Sequence, residues 1–211
     1  MVCPEVEVNI LNEVTPASLL FVGRVREAFS FLTSDYGFCI VATDSTFVRY
    51  ESSLVFINVY YGRNSYELGV EIGRLDETNN IDRSFQLVEL VCLQDEKACQ
   101  DFKAYQTTDV HVISKGLVLL ATALRQFGRG ALCGDIRVFE TLHQVRKQSR
   151  HEFARELRVS EARAKAEAAW KIQDYATSAF FYSQLGDTLS NAEIRKLSYA
   201  HKKLLEIEKS S

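Results

Sequence analysis

The sequence predicts an α+β fold, with a small antiparallel β-meander and an N-terminal helix, followed by a mostly helical C-terminal half. The first observation is the segment 46–75, in which three short runs alternate apolar and polar residues. The second is that only a few turn-forming residues separate these runs, as in consecutive antiparallel strands. The third is that the following segments carry apolar residues at helical spacing.

The N-terminal region predicts an extended arm, a helix and a strand in that order. Residues 1–14 alternate loosely, which indicates a short strand or an extended arm. Thr15-Pro16 supplies an N-cap and a proline at the first helical position, and Gly37 ends the predicted helix. Residues 38–43 then predict a buried strand.

The three alternating runs predict strands that each have one apolar and one polar face. Val48 and Tyr50 share a face in the first run, and Arg49 lies on the other. In the second run the apolar face is Val55, Ile57, Val59 and Tyr61, and in the third it is Tyr66, Leu68, Val70 and Ile72. We expect the apolar faces to pack on the core and the polar faces to be partly exposed to solvent.

The second half of the chain is predicted to be helical. The predicted helices cover residues 84–93, 108–127, 135–158, 161–173, 176–185 and 190–207, and residues 95–106 have no clear assignment. Ser190 and Glu193 form a capping box for the last helix. We expect an α+β domain over residues 1–106 and a helical region over residues 107–211 packed on it, with one continuous domain as the alternative.

Composition and charge restrict the classes of partner. The 211 residues are 46% hydrophobic and 25% charged, and the net charge of −3 argues against nucleic acid as an obligate partner. The charge is unevenly distributed, because residues 1–141 hold 12 Lys+Arg against 19 Asp+Glu, whereas residues 142–211 hold 13 against 9. We expect two surfaces of opposite sign.

The N-terminus, the longest apolar run and the cysteines predict a cytoplasmic protein that does not associate with membranes. The N-terminus lacks the basic and apolar regions of a secretory signal, and the longest apolar run, residues 116–124, is too short to span a bilayer. Five cysteines without close pairing predict neither a disulfide framework nor a zinc site, and we expect most of them to be buried apolar residues.

No motif for a metal, a cofactor or catalysis is complete. His151-Glu152 begins like a zinc-binding HExxH helix, but Arg155 occupies the position of the second histidine. The glycines at residues 128–134 follow a helix and lack the Lys-Ser pair of a phosphate-binding loop. No serine or cysteine has the context of a nucleophile elbow. The sequence therefore predicts no cofactor, no metal and no enzymatic activity.

The sheet carries the residue types that dominate protein–protein interfaces. Tyrosine and arginine combine large contact area with directional hydrogen bonds. The candidate partner-binding residues are Arg49, Asn58, Tyr60, Arg63, Asn64, Tyr66, Glu67 and Glu71. An alternative is a half-exposed sheet in which Arg49 pairs across strands with Glu67 or Glu71. A further alternative is a hydrolase or transferase site in which one of these glutamates lies in a pocket beside a histidine.

Residues 48–75, VRYESSLVFINVYYGRNSYELGVEIGRL, resemble the core of a group of uncharacterised bacterial proteins in which helices follow the same motif. These proteins in turn resemble immunity proteins encoded beside polymorphic toxins. The resemblance implies a cytoplasmic protein that neutralises a cognate toxin by covering its active site. It supplies no catalytic residue.

The C-terminal segment 166–204 is similar to a single degenerate tetratricopeptide-type hairpin. Trp170, Tyr175, Ala179 and Tyr182 stand near the aromatic and small-residue positions of that repeat, and Gln173-Asp174 replaces the expected glycine. One repeat cannot form a superhelical groove, because repeats bury their faces against neighbours. The alternative function is accordingly an adaptor or scaffold that binds a partner through the C-terminal helices. The oligomeric state and the identity of the toxin remain open.

Overall fold

A computed structural model describes residues 16–62, 65–76 and 84–208. The chain divides into two compact units, Met1–Gln144 and Val145–Ser211. The division falls inside a single long helix, whereas the division predicted from the sequence is at residues 106 and 107. The predicted arm at residues 1–14 lies outside the described residues.

The first unit is an antiparallel sheet with helices packed on one face. Its strands are β1 (Cys39–Asp44), β2 (Phe47–Glu51), β3 (Val55–Tyr61), β4 (Glu67–Arg74), β5 (Ser84–Gln86) and β6 (Tyr105–Gln106). Its helices are α1 (Pro16–Ala28), α2 (Ser30–Tyr36), α3 (Leu87–Gln94), α4 (Glu96–Asp101), α5 (Val110–Phe127) and α6 (Arg129–Leu132). The helix α7 (Ile136–Lys171) begins in this unit. The predicted α+β class and the helical C-terminal half are confirmed.

The strands are ordered β1-β2-β3-β4-β5, and β6 also pairs with β4. The apolar faces of β2, β3 and β4 form the core, as the alternation predicted. The helical side chains packed in the same core include Val25 of α1, Leu90 of α3, Leu117 and Leu124 of α5, and Phe139 of α7. The opposite face of the sheet carries the polar side chains.

The predicted end of the N-terminal helix is confirmed, whereas other predictions for this unit are wrong. Gly37 adopts a left-handed conformation with φ of 69° and ends α2, as predicted. The single helix predicted before Gly37 is wrong, because Phe29 separates α1 from α2. The strand β1 is only half-buried, because it is an edge strand with β2 as its one partner. The predicted helix over residues 84–93 starts late, since Ser84–Gln86 forms β5 and only Leu87–Gln94 is helical.

The cysteine prediction is also wrong. Cys92 of α3 and Cys99 of α4 form a disulfide whose Cα atoms are 4.5 Å apart. The two cysteines are seven residues apart in sequence, but α4 turns back on α3 directly after Asp95 and brings them together. Asp95 is the residue that ends α3 and caps the start of α4. Cys92 and Cys133 are exposed, so neither of them is a core residue.

Within the described residues, α5 is the one helix that is long and apolar enough to cross a membrane, with 18 residues and a mean hydropathy of 1.2. Length and composition alone place it in this class, and core helices satisfy the same criteria. Leu117, Leu120 and Leu124 of α5 are buried in the core of the first unit. The exposed residues of the helix include Val118 and Leu119.

The second unit consists of the C-terminal part of α7, α8 (Tyr175–Ser183) and α9 (Asn191–Glu208). Its core contains Ala162 and Ala166 of α7 together with Tyr182 and Leu185. The predicted capping box at the start of α9 is present, because the Ser190 amide donates to Glu193 and the Glu193 amide donates to the Ser190 hydroxyl. The two helices predicted over residues 135–173 form one continuous helix of 36 residues.

Candidate functional site

The strand register brings four polar residues into one row across the sheet. Arg49 of β2 pairs with Asn58 of β3, Asn58 pairs with Glu71 of β4, and Glu71 pairs with Gln86 of β5. Residues in register on neighbouring antiparallel strands have adjacent side chains on the same face. The row lies on the face opposite the core, and each of the four residues is half-buried.

Hydrogen bonds connect this row from end to end. Arg49 Nη1 donates to Asn58 Oδ1 over 3.2 Å, and Asn58 Nδ2 donates to Glu71 Oε2 over 3.4 Å. Gln86 Nε2 donates to Glu71 Oε1 over 2.8 Å. The two amides therefore hold both carboxylate oxygens of Glu71. We call the row of Arg49, Asn58, Glu71 and Gln86, together with Glu51, Phe56 and Tyr60 beside it, the polar face.

At one end of the polar face, Arg49 is held by a carboxylate and an aromatic ring. Its Nε donates to Glu51 Oε1 over 2.6 Å, and its Cζ lies 4.1 Å from the centre of the Phe56 ring. This geometry combines an ion pair with a cation–π contact. The alternative pairing of Arg49 with Glu67 or Glu71 is absent from the described contacts. Arg49 pairs instead with Glu51, which lies two residues further along the same face of β2.

At the other end, Tyr60 covers a glycine and joins the hydrogen-bonded row. Its ring lies over Gly69 of β4, so that a Cβ on Gly69 would be 2.4 Å from Tyr60 Cζ. Its hydroxyl donates to Gln86 Oε1 over 3.1 Å. Burial raises the pKa of the Tyr60 hydroxyl, and Glu71 and Glu67 add to this rise. Tyr60 is therefore a neutral hydrogen-bonding group at ordinary pH.

Tyr66 and Glu67 lie where β4 begins, outside the row. Tyr66 has a φ of 53° and is 46% exposed, so it belongs to the connection between β3 and β4 rather than to the predicted strand. Its carbonyl accepts from the Thr107 amide, and its ring lies 6.3 Å from that of Tyr61. Glu67 is exposed. The predicted partner-binding residues Arg63 and Asn64 lie outside the described residues.

The arrangement of the glutamates differs from that of an acid–base pair. Glu67 and Glu71 share a strand face, but four residues of strand separate them by about 13 Å. In the described part of the chain, Glu71 accepts its hydrogen bonds from the amides of Asn58 and Gln86. His143, by contrast, contacts the core residue Phe85 on the other side of the sheet. Residues 16–62, 65–76 and 84–208 contain no group of three or more His, Cys, Asp or Glu residues that could hold a metal ion.

Sequence reasoning missed Gln86 and Phe56 as members of this site. Gln86 lies in the predicted helix over residues 84–93, yet its backbone is extended, and its amide donates to Glu89 Oε2 over 2.8 Å at the start of α3. Phe56 is only 2% exposed although it lies on the polar face, and its pairing with Gly73 explains why a large ring fits there.

Comparisons with known proteins add no assignment to this geometry. No family model, no curated protein and no solved structure matches the chain.

Proposed function

We propose that this protein is a non-enzymatic binding protein that recognises a basic protein partner through the polar face. The observation that carries the proposal is the hydrogen-bonded row across four strands. It holds half-exposed polar side chains in fixed positions before any partner arrives. Such preorganisation reduces the entropy lost when two surfaces associate.

The charge distribution supports a basic partner. Residues 142–144 carry no charge, so the first unit holds the same 12 Lys+Arg and 19 Asp+Glu as residues 1–141. On the polar face, Arg49 is already paired with Glu51, which leaves Glu71 as a carboxylate with two neutral amide partners. Glu67 adds an exposed carboxylate on the same strand. A surface of this sign attracts a basic protein and speeds its association.

The resemblance of residues 48–75 to proteins that are similar to immunity proteins suggests that the partner is a cognate bacterial toxin. The test is to express the protein together with the toxin encoded by the adjacent gene and to measure growth. We expect growth to be restored with the protein and lost without it. A metabolic enzyme as the neighbouring gene product, or a toxin that stays active beside its folded partner, contradicts the proposal.

The role of the polar face is tested by reversing the charge of Glu67, which shares a strand face with Glu71. Glu67→Lys should slow association with that toxin by about three- to tenfold at low salt, because steering depends on the local potential. Glu27→Lys is the matched control. Glu27 is exposed on α1, so its substitution changes the net charge by the same amount at a distance from the polar face. Equal effects of the two variants, or an association rate that does not fall as salt rises, would contradict the role of the polar face.

The second unit supports one other candidate, an adaptor that binds through its helices. Phe180 of α8 is 59% exposed, and Leu205 of α9 is 57% exposed. Exposed apolar side chains of this size are typical of association surfaces when they cluster. If Phe180→Glu and Leu205→Glu each abolish partner binding while Glu67→Lys leaves it unchanged, the adaptor function replaces the proposal.

A further inference from the structure

The first unit contains an apolar cleft that the polar face does not use. It has a volume of about 380 Å³ and lies between α3, α4 and α5. Its apolar lining includes Val91, Ala98, Phe102, Tyr105, Leu119 and Phe127. Clefts of this volume with predominantly apolar walls are the usual form of small-molecule sites.

The walls of the cleft are held in place by covalent and polar contacts. The disulfide joins Cys92 and Cys99, and each of these residues is next to a lining residue, Val91 or Ala98. On the opposite wall, the Gln94 side-chain amide donates to the carbonyl of Phe127 and ties α3 to the end of α5. The cleft is therefore a fixed feature of the fold rather than a gap between loosely packed helices.

Leu119 shows that the apolar lining extends to the surface. It faces the cleft from α5 and is 52% exposed, although its neighbour Leu120 is buried in the core. Exposing a leucine to water is unfavourable unless another apolar group covers it. A ligand with an apolar body would cover Leu119 together with Phe102 and Phe127.

The charged groups around the cleft favour a cationic head group. Asp95 and Asp101 line the cleft, and Lys103 is the one basic residue in its lining. Asp95 is held by a hydrogen bond of 2.9 Å from the Ala98 amide, which fixes its carboxylate at the wall. The C-terminal turn of α5, with Gln126 and Phe127, adds the partial negative charge of a helix end. An anionic head would face two carboxylates and a helix C-terminus, with Lys103 as the one cation of the lining.

We propose that this cleft binds a small amphipathic molecule with an apolar body and a cationic head. The site is separate from the polar face and does not depend on the function proposed for it. The apolar body packs on Leu119, Phe102 and Phe127, and the cation lies near Asp95 and Asp101.

The test compares three detergents with the same alkyl chain, each below its critical micelle concentration, by titration calorimetry on the full chain. We expect octyltrimethylammonium to bind with one-to-one stoichiometry and about fivefold more tightly than nonanoate or octyl glucoside, as a few solvent-exposed charge interactions would give. Equal affinity for the cation and the anion, or no saturable binding, overturns the proposal.

Two neighbouring residues of α5 provide a matched pair of variants. Leu119→Arg should abolish binding, because it places a large cation in the cleft. Val118→Arg should leave binding unchanged, since Val118 is 56% exposed and does not line the cleft. Asp101→Asn should reduce the preference for the cation about threefold. Circular dichroism confirms folding, and equal losses in the two arginine variants would overturn the proposal.

Discussion

Substituting Gly69 by alanine tests whether Tyr60 covers β4 as the structure shows. The added methyl group would lie 2.4 Å from Tyr60 Cζ and equally close to its hydroxyl oxygen. The ring must move, which breaks its hydrogen bond to Gln86. Overpacking of this kind costs about 1–3 kcal/mol, whereas replacing a strand glycine by alanine regains about 0.5–1 kcal/mol of chain entropy. We expect a net loss of about 1–2 kcal/mol in the free energy of unfolding.

Urea denaturation followed by circular dichroism measures this change. Gly23→Ala is the matched control, because Gly23 is an exposed helical glycine with open space around its Cα. That control should raise stability by up to about 1 kcal/mol. In a Tyr60→Ala background, Gly69→Ala should become neutral or stabilising, since the clash is gone. If Gly69→Ala stabilises the unmodified protein as Gly23→Ala does, the placement of the Tyr60 ring is refuted.

Two further predictions concern the disulfide and the second unit. Cys92→Ser opens the loop to Cys99 and should cost about 2–3 kcal/mol of unfolding free energy under oxidising conditions. Cys133→Ser should change little, and equal effects would refute the structural role of the disulfide. Hydrogen bonds from Lys196 and then Tyr182 hold the pKa of Glu167 below its ordinary value. Its stabilising effect is therefore complete above the unfolded pKa of about 4.3 and is lost as the pH falls through the folded value. In the Lys196→Met variant, the free energy of unfolding measured by urea denaturation should fall less steeply as the pH drops below about 5. A fall as steep as in the unmodified protein would contradict the pairing of Lys196 with Glu167.

The meander was predictable because one physical property, burial on a single face, repeats every two residues. Val55, Ile57 and Val59 alternate with polar or aromatic side chains, and a slip of one residue would reverse every position. The same alternation placed Arg49, Asn58 and Glu71 on a common face. The predicted class, helix order and capping box at Ser190 follow from equally local signals.

The features that were missed depend on partners distant in sequence or on a competition between local signals. Phe85, Val88, Val91 and Cys92 have helical spacing, but β4 offers unpaired backbone groups to Ser84–Gln86, and pairing with them extends the sheet. The Cys92–Cys99 disulfide requires the turn between α3 and α4, which composition does not reveal. The helix α7 continues through residues 145–161 although most side chains there are exposed, because these residues have a high helix propensity.

The spacing of glycine along β4 explains why the polar face has its particular form. Gly69 and Gly73 flank Glu71 on one strand face, and on β3 Tyr60 and Phe56 stand opposite these two glycines. The Tyr60 ring occupies the space that a side chain at Gly69 would fill, and the register places Asn58 and Glu71 between the two pairs of an aromatic residue and a glycine. Hydrogen bonds from the Asn58 and Gln86 amides hold the Glu71 carboxylate in its orientation. Gly69 thus makes room for Tyr60 beside a carboxylate that is fixed by hydrogen bonds, and such a fixed acceptor is what the proposed recognition of a basic partner depends on.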